Sequence, residues 1–396
     1  MINFSLNFPP KIDFGWGAAT YLPKHVNNFG KRALLFVGSH SLAESGTENN
    51  IFDALKSEDI DFEREEITSE PSVELIDALA GKYRGSDFDV FVGIGGGSVL
   101  DATKAVAAMC AQDDDTANYL DYGQASGPGK MLKPAQVPII AMPSNVCTGS
   151  EATNTAALVH RGEAGYKGYL KEYSLMPKVA LIDPSLTITL TQEDFLFNII
   201  DSFSSMLEAF VSKGSNIFTD SLMLEGLSML QTILMGMLSG TEMKKETFEQ
   251  LAYASLMAGI ASSNSATTIH QNLAFAISGI YDIPHAKLMA TLLYPATLVN
   301  MRKVQMFDAQ GEATAKYSMF GSAMSGMDYA FEKHHVLLRA ASETLLSMRD
   351  DHQIPSLEAL GVQKADFYKI ASATRQEGNP IELAETEIMD ILDLAW

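Results

Sequence analysis

The stretch "DVFVGIGGGSVLDATKAVA", residues 89–107, passes from an unbroken apolar segment through a cluster of glycines into a helical pattern. An unbroken apolar run of this length is typical of a buried parallel strand, and the spacing after Ser98 predicts a helix. Glycines let the backbone turn sharply, and the N–H groups at a helix start, with the macrodipole behind them, favour a phosphate. The stretch therefore predicts a strand, a phosphate-binding turn and a helix, with a tight structural turn as the alternative.

The same alternation extends on both sides of this stretch. "RALLFVG" (32–38) reads as a strand and "TENNIFDALKSE" (47–58) as a helix, and "VPIIAMPS" (137–144) reads as a further strand. Such alternation indicates βαβ units and a parallel sheet. After a last strand in "MPKVALIDPSLTITLTQEDF" (176–195), long apolar helical runs such as "DSLMLEGLSMLQTILMGML" (220–238) take over. We therefore predict an α/β domain in residues 1–188 and an all-helical domain in residues 189–396.

Composition limits the partners of the chain. With 396 residues, 28 Lys and Arg and 49 Asp and Glu, the formal charge is −21, which disfavours nucleic acid and anionic membrane surfaces. The two cysteines, Cys110 and Cys147, lack the spacing of a zinc site or a disulfide framework. The amino terminus has no signal-peptide pattern, and no uninterrupted apolar run approaches the roughly 20 residues of a membrane span. We expect a cytoplasmic protein with no membrane partner.

A second loop is a candidate for the same ligand. In "MPSNVCTGSEAT" (142–153), Ser144, Thr148 and Ser150 offer hydroxyl groups near a predicted strand end. Taken alone, this loop is as compatible with a structural turn as with a nucleotide contact.

Several motifs together resemble the iron-dependent (group III) alcohol dehydrogenases, in order and spacing, over almost the whole chain. They are "FPPKIDFGWGAATYLPKHV" (8–26), "GIGGGSVLDATKAVA" (93–107), "TGSEAT" (148–153), "VALIDPSLTITL" (179–190), "GIYDIPH" (279–285) and "GNPIELAETEIMDIL" (378–392). The resemblance implies an α/β plus all-α fold, with a Rossmann-like dinucleotide-binding domain followed by a helical metal and substrate domain. It also implies NAD or NADP as cofactor and one divalent metal, iron or zinc.

The resemblance assigns cofactor contacts residue by residue. The glycine turn would hold the pyrophosphate, and an aspartate of the following helix matches the family motif. The second loop would line the cofactor. A lysine ten residues before Pro177 matches a cofactor-contacting lysine, although without the resemblance it would read as a surface lysine. These residues are Gly95, Gly96, Gly97, Ser98, Asp101, Ser144, Thr148, Ser150 and Lys167.

The coenzyme preference depends on the end of the second predicted strand. The family often has an aspartate there that accepts from the ribose hydroxyls of NAD, whereas this chain has Gly38 and Ser39. Without a carboxylate, a 2′-phosphate is not repelled. NADP is therefore favoured over NAD, although no nearby arginine is evident.

The metal site departs from the family pattern. In "NIIDSFSSMLEAF" (198–210), Asp201, Ser205 and Glu208 stand at i, i+4 and i+7, on one helix face. The family holds its metal with an aspartate, a histidine four residues later, and two histidines fourteen apart, the second in a "PH" pair. An ungapped alignment gives Asp201, Ser205, Gln271 and His285, so two of the four ligands are replaced.

His270 precedes the lost position at Gln271 by one residue. One residue on a helix is about 100°, so His270 substitutes as a ligand only if a π-bulge shifts the register; otherwise it is a hydrogen-bonded histidine packed nearby. Asp201 and His285 are predicted metal ligands, with retention for packing and hydrogen bonding as the alternative.

These observations leave three hypotheses. The first is an NAD(P)-dependent oxidoreductase acting on a small alcohol or carbonyl compound with a degenerate metal site, in which His285 or Lys167 hydrogen-bonds the developing alkoxide. The Ser, Thr and Asn residues of "TGSEATNTAALVH" (148–160) favour a polar substrate. The second is a catalytically silent nucleotide-binding homologue acting as a partner or regulator, and the third is an enzyme of the related sugar-phosphate cyclase type. The methionine-rich helix at 220–238 leaves a homo-oligomer open, with a homodimer as the default.

Overall fold

The computed structural model describes residues 4–38, 47–120, 129–146, 149–161 and 165–396. It contains a six-stranded sheet and a separate two-stranded hairpin. The strands are β1 (Lys11–Phe14), β2 (Arg32–Gly38), β3 (Asp61–Ile67), β4 (Val90–Gly95), β5 (Ile139–Pro143), β6 (Thr155–His160), β7 (Tyr166–Lys171) and β8 (Val179–Ile182).

The large sheet is parallel and has the order β1-β8-β5-β4-β2-β3, while β6 and β7 pair antiparallel. The strand β4 is buried along its whole length, which is why its sequence is an unbroken apolar run. Val37 of β2 pairs with Ile94 of β4, and Gly95 pairs with Pro143 of β5. The carboxyl ends of these three strands therefore lie side by side at one edge of the sheet. This confirms the predicted α/β class.

The helices follow the predicted change from alternation to an all-helical region. They are α1 (Leu22–Asn27), α2 (Thr47–Ser57), α3 (Val73–Tyr83), α4 (Gly97–Met109), α5 (Gln192–Val211), α6 (Ile217–Leu238), α7 (Lys245–Ser262), α8 (Ile269–Ser278), α9 (His285–Phe307), α10 (Glu312–Ser325), α11 (His334–Asp351), α12 (Phe367–Ala373) and α13 (Glu385–Ala395).

The chain forms two compact units. The sheet unit comprises residues 6–195 together with 244–263, and the helical unit comprises 1–5, 196–243 and 264–396. This differs from the predicted division at residue 189, because α7 belongs to the sheet unit. The reason is a contact of that helix with the loop after β5, where Ser255 accepts a hydrogen bond from the Gly149 N–H at 3.2 Å.

The helical unit has its own apolar core, built from α8, α9, α12 and α13 around side chains such as Leu273, Leu292 and Ile391. Within the described part of the chain, α6 is the one helix long and apolar enough to cross a membrane by length and composition alone. A core helix passes the same test, and α6 is partly buried: 33% of its most apolar stretch, including Met223, Leu227 and Leu230, lies inside the protein. The finding is therefore weak evidence for a membrane span.

Candidate functional site

The glycine turn joins β4 to α4 as the sequence predicted. Gly96 precedes the helix in an extended conformation, and no side chain caps the first turn of α4. The Val99 N–H donates to the Gly96 carbonyl at 3.0 Å, so the N–H groups of Gly97 and Ser98 are the donors of that turn that can face an anion. A Cβ on Gly95 would lie 2.5 Å from the Val99 side chain, so this glycine allows α4 to pack closely against the strand.

The second predicted loop lies next to the glycine turn. The Ser144 N–H donates to the Gly95 carbonyl at 3.0 Å, which joins the ends of β5 and β4. Further along, Gly149 has a φ of 63°, and a Cβ there would lie 2.2 Å from the Ser255 carbonyl oxygen. Only glycine therefore fits between this loop and α7.

Asp101 and Ser150, both predicted to bind cofactor, bind each other in this structure. The Ser150 hydroxyl donates to Asp101 Oδ1 at 2.7 Å, and the Ala157 N–H donates to Asp101 Oδ2 at 3.1 Å. Lys104, one turn along α4, has no exposed side-chain surface and donates to Ser150 Oγ at 2.7 Å. The polar groups of α4 therefore hold the loop, in addition to any contact they make with a ligand.

The charges around Lys104 are strongly perturbed by burial. Desolvation lowers the pKa of the Lys104 ammonium, and Asp101, whose Oδ1 lies 3.5 Å away, acts in the opposite direction. The neighbouring Glu151 is also buried, and loss of solvent raises the pKa of its carboxyl to about 7. The cluster therefore combines one buried cation with two carboxyl groups.

Lys167 lies on β7 and is buried rather than solvated. Its ammonium forms an ion pair with Glu70, which precedes α3. The adjacent strand is held to the same segment, because the Val159 N–H donates to the Pro71 carbonyl at 3.0 Å. The charge of Lys167 is therefore already balanced within the sheet unit.

Gly38 ends β2 beside the glycine turn. A Cβ at this position would meet one atom, Val99 Cγ2, at the ordinary contact distance of 3.6 Å. A Cβ at position 38 would therefore be accommodated beside Val99. Two other residues predicted to contact the cofactor, Ser39 and Thr148, lie outside the described residues.

The helical unit brings together the predicted face of α5. Asp201, Ser205 and Glu208 are all buried on this helix. Glu208 Oε1 accepts hydrogen bonds from the Thr268 hydroxyl and, at 3.0 Å, from the Gln271 N–H. Its second oxygen, Oε2, is buried without a hydrogen-bond partner in the described structure. Burial raises the pKa of the Glu208 carboxyl to about 7.

These bonds place Glu208 at the start of α8. Thr268 precedes the helix without capping it by its own side chain. The Ile269 N–H donates to Asn379 Oδ1 at 3.3 Å, so the terminal motif around residue 379 supplies a second acceptor. The first turn of α8 is therefore capped by side chains from distant segments.

His270 and His285 have different surroundings. His270 is buried, its Nε2 lies 2.7 Å from the Met289 carbonyl oxygen, and desolvation lowers the pKa of its imidazole to about 4. His285 begins α9, and its ring lies 5.7 Å from the ring of Phe275, measured between centroids. The hydrogen bond orients His270 Nε2 toward the backbone of α9.

The donor set at the four positions that the ungapped alignment pairs with the family's metal ligands does not suit iron or zinc. It consists of one carboxylate, one imidazole, one hydroxyl and one carboxamide, whereas imidazole and thiolate are the ligands that favour these metals. Among the described residues, no group of three or more His, Cys, Asp or Glu side chains is arranged to hold a metal ion.

Three residues of the site have no clear signal in the sequence. Lys104 and Glu151 stand outside the predicted site residues, and the sequence marks Glu208 only by its helical spacing. The available signal for Lys104 was a lone cation within the apolar run "ATKAVAAM" (102–109). In sequence, a helix that is buried on all sides and contains one lysine resembles an amphipathic helix whose lysine is exposed to solvent. This signal is therefore weak.

The fold and the glycine turn define the class of dinucleotide-binding α/β proteins with an additional helical unit. Comparison with protein families identifies the chain further. The model of the iron-containing alcohol dehydrogenases matches residues 9–184, and the model of the carboxy-terminal part of the same family matches residues 197–396. The chain belongs to the iron-containing alcohol dehydrogenase family.

Individual relatives agree with this membership. The chain is 25% identical to alcohol dehydrogenase 4 of Saccharomyces cerevisiae over 98% of its own length and 97% of that protein. It is 24% identical to lactaldehyde reductase of Escherichia coli, over 97% of both chains. It is 26% identical to an NADPH-dependent butanol dehydrogenase of Clostridium saccharobutylicum, over 100% and 98%. Among solved structures, an archaeal halo-thermophilic alcohol dehydrogenase from a Red Sea brine pool superposes with a TM-score of 0.90, at 22% identity and full coverage of both chains.

Proposed function

We propose that the protein is a nicotinamide-dependent oxidoreductase that interconverts a small, polar alcohol and its aldehyde or ketone by hydride transfer. The observation that carries this proposal is the uncapped start of α4 after Gly96, in a chain of the iron-containing alcohol dehydrogenase family. The donors of this turn suit a pyrophosphate. Relatives of the chain include a lactaldehyde reductase and an NADPH-dependent butanol dehydrogenase.

We propose NADP rather than NAD as the preferred coenzyme. The position that ends β2 is Gly38, and it contributes no carboxylate to repel a 2′-phosphate. The butanol dehydrogenase relative is also NADPH-dependent.

We propose that the metal site is degenerate. Ser205 and Gln271 stand where the family pattern has histidines, and their oxygens favour harder cations than iron or zinc. When bound, NADPH would supply the hydride; a protein group would donate a hydrogen bond to the carbonyl oxygen, and this group or solvent water would supply the proton that completes the alcohol. His285 takes the donor role, since the charge of Lys167 is balanced by Glu70.

The test uses full-length protein purified without a metal-affinity tag. Metal content is measured by elemental mass spectrometry, and NADPH oxidation is followed with lactaldehyde and with butanal, before and after dialysis against EDTA. We expect turnover of lactaldehyde that chelation leaves unchanged. Turnover that requires stoichiometric iron or zinc would contradict the degenerate site, and faster turnover of butanal would contradict the polar substrate.

A matched pair of variants tests His285. Substitution H285A is expected to lower kcat with NADPH binding unchanged, whereas H335A, on the exposed surface of α11, is expected to leave both unchanged. Equal kcat values for H285A and the parent protein would remove His285 from the mechanism.

A second candidate function is that of a catalytically silent nucleotide-binding protein acting as a partner or regulator. The replaced positions Ser205 and Gln271 favour it. NADPH binding without turnover of any alcohol or aldehyde tested would make this the leading function.

We also propose a homo-oligomer, with α6 as the contact surface. Ile217, Phe218, Met235 and Leu238 on this helix are large, apolar and exposed. Such exposed apolar surface is typical of subunit interfaces. Light scattering with size-exclusion chromatography tests this, and a monomer at micromolar concentration would contradict it.

A further inference from the structure

Lys104 on α4 is a fully buried cation of the sheet unit, and its surroundings supply one acceptor for each N–H of its ammonium group. Its Nζ lies 2.7 Å from Ser150 Oγ, 2.8 Å from Thr153 Oγ1 and 2.9 Å from the Thr155 carbonyl oxygen. A lysine ammonium has three N–H donors and no acceptor. All three donors are therefore used on one segment of seven residues, 149–155.

Asp101 binds the same segment from the preceding turn of the helix. It accepts from the Ser150 hydroxyl and the Ala157 N–H, and its Oδ1 lies 3.5 Å from Lys104 Nζ. On the opposite side, the Ser263 hydroxyl donates to the Ala152 carbonyl at 2.7 Å. The segment is thus fixed between α4 and the residue that follows α7, both parts of the sheet unit.

The order of the strands indicates which part of the coenzyme this segment faces. Gly38, the position proposed to govern the 2′-phosphate, ends β2 on one side of β4, and Ser144 follows β5 on the other side. The pyrophosphate site at the start of α4 lies between them. The adenosine half therefore belongs to the β2 side, and the nicotinamide half belongs to the β5 side, from which the segment 149–155 continues.

We propose that Lys104 is a positioning residue that holds the segment 149–155 in the conformation that receives the nicotinamide half of the coenzyme. This inference rests on the proposed function. A buried ion pair is a poor source of stability compared with apolar packing, so the reason for a lysine here is the single conformation that its three donors specify. Arginine has a planar donor group and does not match three acceptors around one nitrogen.

The test compares whole coenzyme with a fragment that lacks the nicotinamide half. Dissociation constants for NADPH and for 2′,5′-ADP are measured by calorimetry on the parent protein and on K104M. We expect K104M to raise the dissociation constant of NADPH by about ten-fold or more, which corresponds to the loss of roughly one well-made hydrogen bond. The dissociation constant of 2′,5′-ADP should change by less than about two-fold. The variant T153V, which removes one acceptor at constant volume, is expected to weaken NADPH in the same direction by a smaller factor.

Lys316 provides a matched control. It is a buried lysine of the helical unit that pairs with Asp220, so K316M removes a similar group without touching α4. We expect K316M to change neither dissociation constant. The positioning role is overturned if both K104M and T153V bind NADPH as tightly as the parent protein. It is also overturned if the two variants lose affinity for NADPH and for 2′,5′-ADP by the same factor. A parent protein that binds neither compound would instead contradict the proposed function.

Discussion

Glu208 accepts a hydrogen bond at 3.0 Å from the backbone N–H of Gln271, so a carboxyl group of α5 caps the first turn of α8. The Glu208 carboxyl lies at the amino terminus of α8, which is the positive end of the helix dipole and therefore favours a hydrogen-bond acceptor. The Thr268 hydroxyl donates to the same oxygen. Position 271, which the ungapped alignment pairs with a metal ligand of the family, is therefore held by Glu208, a residue outside the four aligned positions.

Removal of this cap should destabilise the protein. In E208A, the Thr268 hydroxyl and the Gln271 N–H lose a buried acceptor, and we expect the free energy of unfolding to fall by about 2–4 kcal/mol. Urea denaturation followed by fluorescence measures it. The control E225A removes an exposed glutamate of α6 and should change the stability by less than about 0.5 kcal/mol. Equal effects of the two substitutions would show that the cap is not important for stability.

Glu151 should make stability depend on pH. Its carboxyl has a pKa of about 7 in the folded protein against an ordinary value of 4.5, so the folded state keeps a proton that the unfolded state releases between these values. The stabilising contribution is therefore complete below pH 4.5 and is lost as the pH rises through 7. The isosteric variant E151Q stays neutral throughout this range.

The difference in unfolding free energy between the parent protein and E151Q isolates this effect, because Glu208 and His270 titrate in both. We expect the parent to lose about 1–3 kcal/mol relative to E151Q between pH 5 and pH 8. Urea midpoints at pH 5, 6, 7 and 8 measure it. A difference that is constant with pH would mean that Glu151 is ionised in the folded protein at pH 5.

Position 38 should control the choice of coenzyme. A Cβ there has an ordinary contact with Val99. G38D and G38N carry side chains of the same size, so any steric effect on folding is shared by the two variants. The carboxylate of G38D would repel a 2′-phosphate, whereas the neutral amide of the same size in G38N would not. We expect G38D to raise the dissociation constant of NADPH by about ten-fold or more relative to G38N, with NADH affected much less. Equal affinities of the two variants for NADPH would separate position 38 from the 2′-phosphate.

Gly149 should be intolerant of any side chain. The variant G149A combines a φ of 63° with a Cβ placed 2.2 Å from the Ser255 carbonyl oxygen. The control G85A has a φ of 75° with nothing within 4 Å, so it reports backbone strain alone, about 1 kcal/mol. We expect G149A to cost at least about 2 kcal/mol more than G85A in urea denaturation. Similar losses would mean that the loop moves away from α7 without cost.

The parts of the fold that were predictable are those with local signals. The strands β2, β4 and β5 are buried on both faces and appear as short apolar runs, and the glycine turn marks the start of α4. The strand β3, "DFEREEI", was not predicted, because it lies at the edge of the sheet and carries the charges that protect such edges.

The candidate site was less predictable, because its contacts join residues far apart in the chain. The partner of Glu208 is 63 residues away, and Lys104 reaches residues 46 to 51 positions later. Helical spacing indicates which side chains share a face, but it does not indicate what that face meets. Lys167 shows the same limit, since its partner Glu70 is 97 residues distant.

The assignment of α7 to the sheet unit has a consequence for dissecting the protein. The chain leaves the sheet unit after residue 195, returns for residues 244–263, and leaves again. The sheet unit is therefore not one contiguous segment of the chain. A fragment that ends near residue 195 would lack Ser255, which receives the Gly149 N–H, and Ser263, which donates to Ala152. Co-expression of two fragments divided near residue 195 would therefore separate residues 244–263 from the rest of the sheet unit. A circularly permuted chain that keeps residues 244–263 joined to the sheet would avoid this.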